Sequence, residues 1–376
     1  MNPKIIINLK IACDVLSNCI FDYKILLMKK SFLLLLLSAF SFLQSQETPN
    51  IIIMIGDGMG LTQITAGMYS NNNTIALEDF EFIGLSKTHA LGQLVTDSAA
   101  SGTAMACGIK TYNGVIGIDK NNAHQPSILE LSQKKGYSTG LVVTSSVVHA
   151  TPASFYAKVP SRKLYEDIAL QLSQHSLDLI IGGGLDFFNK REDKRDLIKE
   201  MNQYEFVTDL KELQNTTSDK IGFLTYKKEP PKKLEGRSPA LDELVATSLE
   251  KLDARKKPFF LLVEGSQIDW GGHANEMDYM VSEFKEFDKT IEKVLDFAKK
   301  DGNTLVIVTA DHETGGLTLK GGNLEKATVK GDFSTEGHSA AMVPVFSYGP
   351  FSKLFAGIYE NTAIFEKMKQ ALNAEQ

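Results

Sequence analysis

Four side chains that can bind a metal ion stand directly after apolar runs of this sequence: Asp57, Glu264, Asp311 and His312. Taken singly, each has an ordinary explanation, because an Asp that follows a strand is most often a turn or capping residue. Taken together, carboxylates and imidazoles suit Zn²⁺, and carboxylate-rich surroundings suit Mg²⁺. Their shared position after apolar runs therefore predicts a metal site.

Three more candidate ligands lie in two later segments. Asp269 and His273 are four residues apart in an Asp-Trp-Gly-Gly-His sequence, and His338 stands in a Glu-Gly-His-Ser turn. Three aspartates, one glutamate and at least three histidines are more ligands than one ion needs. The sequence therefore predicts two or three metal ions.

Ser98 is the candidate nucleophile. It precedes small residues, 99–104, that can form a closely packed helix, so Ser98 is expected at or near a helix N-terminus. Free N–H groups and the helix dipole favour a bound phosphate at that position. The alternative is that Ser98 only caps the helix. It is not the nucleophile elbow of serine hydrolases, because no Gly-x-Ser-x-Gly surrounds it.

Short apolar runs, each ending in polar residues, must position these side chains. The runs are rich in β-branched residues and are separated by helical stretches; they occupy residues 50–55, 141–143, 179–181, 259–263, 305–308 and 343–346. Such runs predict strands buried on both faces of a mostly parallel sheet, which makes the fold class α/β. In these sheets ligands bind beyond the carboxyl ends of the strands, where the four candidate ligands fall.

The composition is that of a folded protein. The chain has 376 residues, 43% hydrophobic and 23% charged, which excludes a disordered tail, a collagen-like repeat and a small disulfide-stapled module. Its formal net charge of −6 gives no general attraction for nucleic acid, so no nucleic-acid-binding surface is expected. An acidic protein that binds anions needs a local source of positive charge, such as metal ions or a well-placed Arg.

The charged stretch 190–199 is predicted to be the solvated face of a helix.

Residues 1–46 are predicted to be a signal region. A dibasic start at Met28 leads into a short apolar run and then into small and polar residues, as in a secretory signal peptide. The apolar run is too short for a stable membrane anchor. Met28 is the expected true start, with residues 1–27 an upstream extension. Residues 47–376 are expected to form a single, exported domain.

Eight short motifs occur in a fixed order along the chain. They are Gly-Asp-Gly-Met-Gly (56–60), Thr-Asp-Ser-Ala-Ala (96–100), Lys-Thr-Tyr-Asn-Gly (110–114), His-Ala-Thr-Pro-Ala (149–153), Val-Glu-Gly (263–265), Asp-Trp-Gly-Gly-His (269–273), Thr-Ala-Asp-His (309–312) and Gly-His-Ser (337–339). With this ordered set, the sequence resembles the alkaline phosphatase family. The resemblance implies a periplasmic or secreted, metal-dependent phosphomonoesterase with a three-layer α/β sandwich, usually dimeric.

The resemblance also implies which residues bind metals. The implied ligand sets are Asp269, His273 and His338 for one zinc ion, Asp57, Asp311 and His312 for the other, and Asp57, Thr151 and Glu264 for magnesium. The implied cofactors are thus two Zn²⁺ and one Mg²⁺ per active site.

By the same resemblance, Ser98 would be the phosphorylated nucleophile and Arg162 would bind the phosphate, with Asp97 orienting Arg162. Two cations on either side of an in-line displacement, about 4 Å apart, stabilise the attacking and leaving oxygens. Arg162 can bind two phosphate oxygens at once, which Lys does less well. The implied substrates are small-molecule phosphate monoesters, hydrolysed through a phosphoserine intermediate.

The chain departs from the family pattern in two respects. His149 and Trp270 stand where some members carry Asp and Lys. An imidazole in place of a carboxylate lowers the negative charge near the third metal, so that site is predicted to accept cobalt or zinc as well as magnesium. Only 25 residues, 313–337, separate the Asp-His pair from His338. This spacing leaves little room for the insertion that some relatives use at the contact of the implied homodimer.

Other functions fit these residues less well. A sulfatase would need Cys or Ser followed by x-Pro-x-Arg, which residues 98–102 lack. A phosphodiesterase would share the metals, but Arg162 favours monoesters because they carry an extra charge. A non-catalytic phosphate- or metal-binding protein would tolerate the loss of Ser98 or of one ligand, yet every expected position is filled.

Overall fold

Apolar, β-branched runs form the central strands. The structure, a computed structural model, describes residues 48–373 and, apart from them, only Leu16. The strands are β1 (Asn50–Gly56), β2 (Phe82–Lys87), β3 (Ser138–Ser146), β4 (Leu179–Gly183), β5 (Glu205–Phe206), β6 (Ile221–Leu224), β7 (Phe259–Gly265), β8 (Thr304–Thr309), β9 (Glu313–Thr314), β10 (Thr318–Asn323), β11 (Thr328–Asp332), β12 (His338–Ser339), β13 (Val343–Tyr348) and β14 (Gly357–Glu360).

Helices connect most of these strands. They are α1 (Leu61–Ser70), α2 (Ser98–Cys107), α3 (Ile128–Lys134), α4 (Ala150–Ala153), α5 (Tyr165–Gln174), α6 (Asp186–Asn189), α7 (Leu197–Glu200), α8 (Leu210–Asn215), α9 (Leu241–Asp253), α10 (Gln267–His273), α11 (Met277–Asp301) and α12 (Thr362–Leu372). Short 3₁₀ turns occupy Ala76–Asp79, Lys233–Glu235 and Ser352–Phe355.

Within residues 48–373, ten strands form one sheet in the order β14-β2-β13-β8-β1-β7-β3-β4-β6-β5. All neighbours run parallel except β13, which is antiparallel to both β2 and β8. Two small antiparallel ribbons, β10 with β11 and β9 with β12, lie outside this sheet. The predicted α/β class with a mostly parallel central sheet is confirmed.

Both faces of the sheet are covered by helices. Ile51 and Ile53 of β1 pack into one apolar cluster with residues of α2, α3, α5 and α12. Ile52 and Met54 point the other way, into a second cluster with residues of α9 and α11. Burial on both sides explains why the strand has no polar alternation. The three-layer arrangement is thereby confirmed.

The predicted signal region, residues 1–46, and its start at Met28 lie outside the described residues. Contacts within the chain group Thr48–Ala374 into one compact unit, while the single domain over residues 47–376 stays a prediction. No helix within residues 48–373 combines the length and the apolar character that a membrane crossing needs.

Asp288 on α11 is a buried carboxylate away from the sheet edge. Its Oδ1 atom accepts the Ala76 N–H at 2.9 Å, and burial raises its pKa to about 6. Because this pKa exceeds that of the unfolded chain, the folded protein binds the proton more tightly. The free energy of unfolding therefore falls as the pH rises from about 4 to about 6.

We expect Asp288→Asn to raise the free energy of unfolding by about 1–2 kcal/mol near pH 8 and by far less near pH 4. Urea unfolding at both pH values measures the effect. Asp278→Asn is the control, because Asp278 is exposed on the same helix. An equal gain at both pH values would show that proton binding by Asp288 is not the cause.

Candidate metal centre and active site

Three neighbouring strands carry acidic residues to one edge of the sheet. β1 lies between β7 and β8, and all three run in the same direction. Asp57 follows β1, Glu264 lies near the end of β7, and Asp311 follows β8. Because the carboxyl ends of parallel strands meet at one edge, these side chains converge there. All three are completely buried.

Asp57, Asp311 and His312 form a first group of ligand atoms, here named the Asp311 cluster. The His312 Nε2 atom lies 3.1 Å from Asp311 Oδ2 and 3.5 Å from Asp57 Oδ1. The backbone N–H groups of Gly58 and His312 both donate to Asp311 Oδ1, at 3.1 and 2.9 Å. These bonds fix one oxygen of Asp311 and leave the other facing His312.

Asp269, His273 and His338 form a second group, the Asp269 cluster. The His273 Nε2 and His338 Nε2 atoms lie 3.4 and 3.6 Å from Asp269 Oδ1. His273 Nδ1 bonds to the Glu336 carbonyl oxygen at 2.5 Å. His338 Nδ1 bonds to the Thr96 carbonyl oxygen at 2.8 Å. Since each carbonyl oxygen accepts a hydrogen bond from Nδ1–H, both Nε2 atoms are turned into the cluster as potential ligands.

Ser98 is the first residue of α2, and Asp97 is the N-cap. The Asp97 Oδ1 atom accepts the Ala100 N–H at 2.9 Å, so Ser98 is not the capping residue. The Ser98 Oγ atom lies 3.3 Å from His312 Nε2, in a buried position. The hydroxyl thus stands beside the Asp311 cluster and at a helix N-terminus, where N–H groups attract an anion.

Arg162 is tied to the start of the same helix. Its guanidinium donates to Asp97 Oδ2 at 3.0 Å, and the Gly114 N–H donates to the same oxygen at 3.0 Å. Asn113 Oδ1 accepts the Asp97 N–H at 3.0 Å. The sequence identified residues 110–114 only as a motif. In the fold, Asn113 and Gly114 hold Asp97, and Asp97 holds Arg162.

A third group, the Glu264 cluster, comprises Asp57, His149 and Glu264, whose ligand atoms lie within 4.8 Å of one another. Thr151, the third member of the predicted magnesium set, lies beside Glu264 and is completely buried. The Trp270 ring packs edge-on against His149, with the ring centroids 5.9 Å apart. His149 is thus a candidate ligand itself, whereas the sequence assigned it only an influence on the metal.

The clusters bury negative charge in a small volume. Burial raises the pKa of Asp57 well above its usual range, and the neighbouring Asp311 and Asp269 raise it further. Burial also raises the pKa of Glu264 to about 8. Both Asp57 carboxylate oxygens and Glu264 Oε1 are buried without a hydrogen-bond partner in residues 48–373. Because unpaired buried acceptors are costly, this donor set fits divalent cations.

The imidazoles differ in their protonation. A hydrogen bond to Asp269 raises the pKa of His273 to about 9. Burial lowers the pKa of His338 and of His149 to about 4, and nearby Arg162 contributes to the shift of His149. His338 and His149 are therefore neutral near pH 7, which is the form that binds a metal. A cation at the Asp269 cluster must displace a proton from His273.

Known proteins are similar to this chain in sequence. Residues 48–331 match the model of the family described as alkaline phosphatase. The chain is 41% identical over 299 residues to alkaline phosphatase 4 of Bacillus subtilis (strain 168), covering 74% of this chain and 64% of that protein's length. It is 33% identical over 414 residues to alkaline phosphatase 3 of the same strain, covering 87% of this chain and 89% of that protein.

Solved structures agree with this similarity. Alkaline phosphatase from the Antarctic bacterium TAB5 superposes with a TM-score of 0.83 at 44% sequence identity, covering 88% of this chain and 100% of that one. A histidine-to-glutamate variant of the TAB5 enzyme, with magnesium bound in its M3 site, superposes with a TM-score of 0.82 at 43% identity and the same coverage. The chain therefore belongs to the alkaline phosphatase family of phosphomonoesterases.

Proposed function

We propose that this protein hydrolyses phosphate monoesters to an alcohol and inorganic phosphate through a phosphoserine on Ser98. The observation that carries the proposal is the position of the Ser98 hydroxyl at the N-terminus of α2, 3.3 Å from His312 Nε2. In this proposal the Asp269 and Asp311 clusters each hold Zn²⁺, and the Glu264 cluster holds Mg²⁺. Membership of the family supports it.

The residues present fit these cations. The buried oxygens of Asp57 and Glu264 lack partners in residues 48–373, and the Nε2 atoms of His273 and His338 lie 3.1 Å apart. Two ring nitrogens this close need a proton or a cation between them. When bound, the cations stabilise a serine alkoxide and a leaving oxygen and supply positive charge to the phosphate.

Residues of the chain orient the groups that react in the two steps of hydrolysis. Ser98 gives up its hydroxyl proton as Oγ attacks phosphorus in line with the ester oxygen. The Oγ–P bond forms while the bond from phosphorus to the ester oxygen breaks, and that oxygen takes up one proton to leave as the alcohol. Water then cleaves the phosphoserine, so that inorganic phosphate leaves and the hydroxyl is restored. N–H groups at the start of α2 and the Arg162 guanidinium bind the phosphate oxygens. Asp97 caps α2 and bonds to Arg162, so one carboxylate holds both the start of α2 and the Arg162 guanidinium in place.

We expect Arg162→Lys to lower kcat/KM for a monoester about 10- to 100-fold, because one charge-assisted hydrogen bond to phosphate is lost. The kcat/KM for a diester, which carries less charge, should fall less. Steady-state kinetics with both esters measure the difference. Arg195→Lys is the control, because Arg195 is exposed and bonds to Glu200. Equal losses on both esters would contradict a role for Arg162 in selecting monoesters.

We further propose that the Glu264 cluster accepts cobalt or zinc as well as magnesium, because His149 supplies a neutral imidazole where a carboxylate would add charge. In the TAB5 enzyme, a histidine-to-glutamate variant has magnesium bound in its M3 site. Because a carboxylate in place of the imidazole adds negative charge, we expect His149→Asp to raise the preference of this cluster for Mg²⁺ over Co²⁺ about 10-fold or more.

Metal content and activity after reconstitution of metal-free protein with each cation measure this preference. His124→Asp is the control, because His124 is an exposed histidine outside the clusters. Equal activity with every metal, and with none, would defeat the idea that His149 sets the metal preference.

We also propose that residues 1–46 direct export, so that the enzyme acts in the periplasm or is secreted. The support is the dibasic start and the short apolar run of that segment. A homodimer is proposed from the family resemblance alone.

The proposed activity is tested with a chromogenic phosphate monoester at alkaline pH, using residues 47–376 and a diester in parallel. The protein is assayed as purified, after chelation, and after addition of zinc with magnesium. We expect monoester activity that chelation abolishes and the metals restore. A preference for the diester would indicate a phosphodiesterase, and no activity on either ester despite confirmed metal loading would overturn the proposal.

A further inference from the structure

Thr314 lies between the Asp269 and Asp311 clusters. The residue is completely buried. Its Oγ1 atom lies 2.5 Å from Asp269 Oδ1 and 3.2 Å from His312 Nδ1. A single hydroxyl therefore contacts one ligand of each cluster.

The hydroxyl can make both contacts in only one arrangement of protons. A carboxylate that binds a metal is ionised and only accepts hydrogen bonds, so the Thr314 hydroxyl donates its one hydrogen bond to Asp269. The hydroxyl oxygen then accepts, and His312 must donate to it through Nδ1–H. In a neutral imidazole the lone pair is then on Nε2. That is the atom of His312 that faces Asp57 and Asp311.

Backbone contacts hold Thr314 in this position. Its N–H donates to the Gly58 carbonyl at 3.3 Å, and its carbonyl accepts from Gln63 Nε2 at 2.7 Å. In the β9–β12 ribbon, Thr314 pairs directly with His338. Thr314 is thus attached to the residue that follows Asp57 and to a ligand of the Asp269 cluster.

We propose that Thr314 is a positioning residue that fixes the Nδ1–H tautomer of His312 and the orientation of Asp269, and so couples cation binding at the two clusters. The inference rests on the proposed function, because it takes both clusters to bind Zn²⁺. Partners of metal ligands orient them and raise their basicity, and losing one weakens metal affinity about 10- to 100-fold. Since Thr314 serves both clusters, its loss weakens both together.

The test compares Thr314→Val, which keeps the shape and removes the hydroxyl, with Thr314→Ser, which keeps the hydroxyl. Competition with a chromophoric chelator gives the affinity for the first and the second Zn²⁺. Thr290→Val is the matched control, because Thr290 is completely buried and its hydroxyl donates to the Glu286 carbonyl at 2.7 Å, within α11. We expect Thr314→Val to weaken both affinities about 10- to 100-fold. Thr314→Ser and Thr290→Val should stay close to the wild type.

Wild-type affinity at either cluster in Thr314→Val would overturn the inference. A wild-type protein that binds fewer than two Zn²⁺ tightly would instead overturn the proposed function, and the inference with it. If Thr314→Val does not fold, ¹⁵N NMR of the zinc-loaded wild type decides. We expect the proton of His312 on Nδ1 and the metal on Nε2, and the reverse assignment would overturn the inference.

Discussion

Ser98→Ala should lower monoester turnover by a factor of at least about 10⁴ while inorganic phosphate still binds. Without the hydroxyl no phosphoserine forms, and the residual reaction requires direct attack by water. In the proposed function, phosphate binding depends on Arg162, the N–H groups at the start of α2 and the bound cations, none of which the substitution removes. Steady-state kinetics give the turnover, and calorimetry gives the Kd for inorganic phosphate.

The control for this substitution is Ser132→Ala. Ser132 is completely buried and its hydroxyl donates to the Ile128 carbonyl at 2.8 Å, within α3. The turnover of the Ser132→Ala protein should equal that of the wild type. A Ser98→Ala protein that keeps most of its turnover would show that water attacks the ester directly. Loss of phosphate binding would show that Ser98 acts mainly in binding.

Asp57→Asn should have the second large effect, because Asp57 belongs to both the Asp311 and the Glu264 clusters. Asn keeps the shape of the side chain but removes the charge that, in the proposed function, balances two cations. We expect kcat/KM for a monoester to fall about 10³-fold or more. The metal content of dialysed protein should fall by more than one ion per chain, leaving mainly the ion of the Asp269 cluster.

Elemental analysis after dialysis measures the metal content. Asp242→Asn is the matched control, because Asp242 is also a buried aspartate but forms an ion pair with Lys289. Its substitution should leave the metal content unchanged. Loss of only one ion from Asp57→Asn would contradict the shared role of this carboxylate.

The central strands and their acidic edge could be predicted because both faces of the sheet are buried. β1, β7 and β8 are continuous apolar runs, completely buried along nearly their whole length, and each is followed by a candidate ligand or contains one. The outer strands are different. β2, β5 and β14 have exposed or half-buried positions, so the sequence shows no unbroken apolar run there.

The helix predicted over the charged stretch 190–199 was wrong. α6 ends at Asn189 and α7 begins only at Leu197, so most of the stretch is not helical. Arg191 is buried, and its guanidinium bonds to the Asp193 carboxylate. Charge density in a sequence indicates solvent exposure on average. Tertiary neighbours decide which charge is paired and buried, and residue spacing does not show them.

The roles of two residues of the site could not be predicted, because they depend on contacts that the spacing of residues in the sequence does not show. His149 joins the Glu264 cluster because the start of α4 approaches the ends of β1 and β7. The contacts of Thr314 depend on the pairing of β9 with β12, two strands of two residues each. Elements this short have no periodic pattern that would predict their partners.

Acid quenching after mixing with a phosphate monoester traps the phosphoserine that the proposed reaction requires. Trypsin releases Ser98 on a peptide that spans residues 88–110, because Lys87 and Lys110 flank it. Fragmentation of this peptide in a mass spectrometer locates the modification. We predict one added phosphoryl group on Ser98, absent without substrate and absent from the chelated protein. Turnover without this modification, or a phosphoryl group on another residue such as Ser101, would show that Ser98 is not the nucleophile.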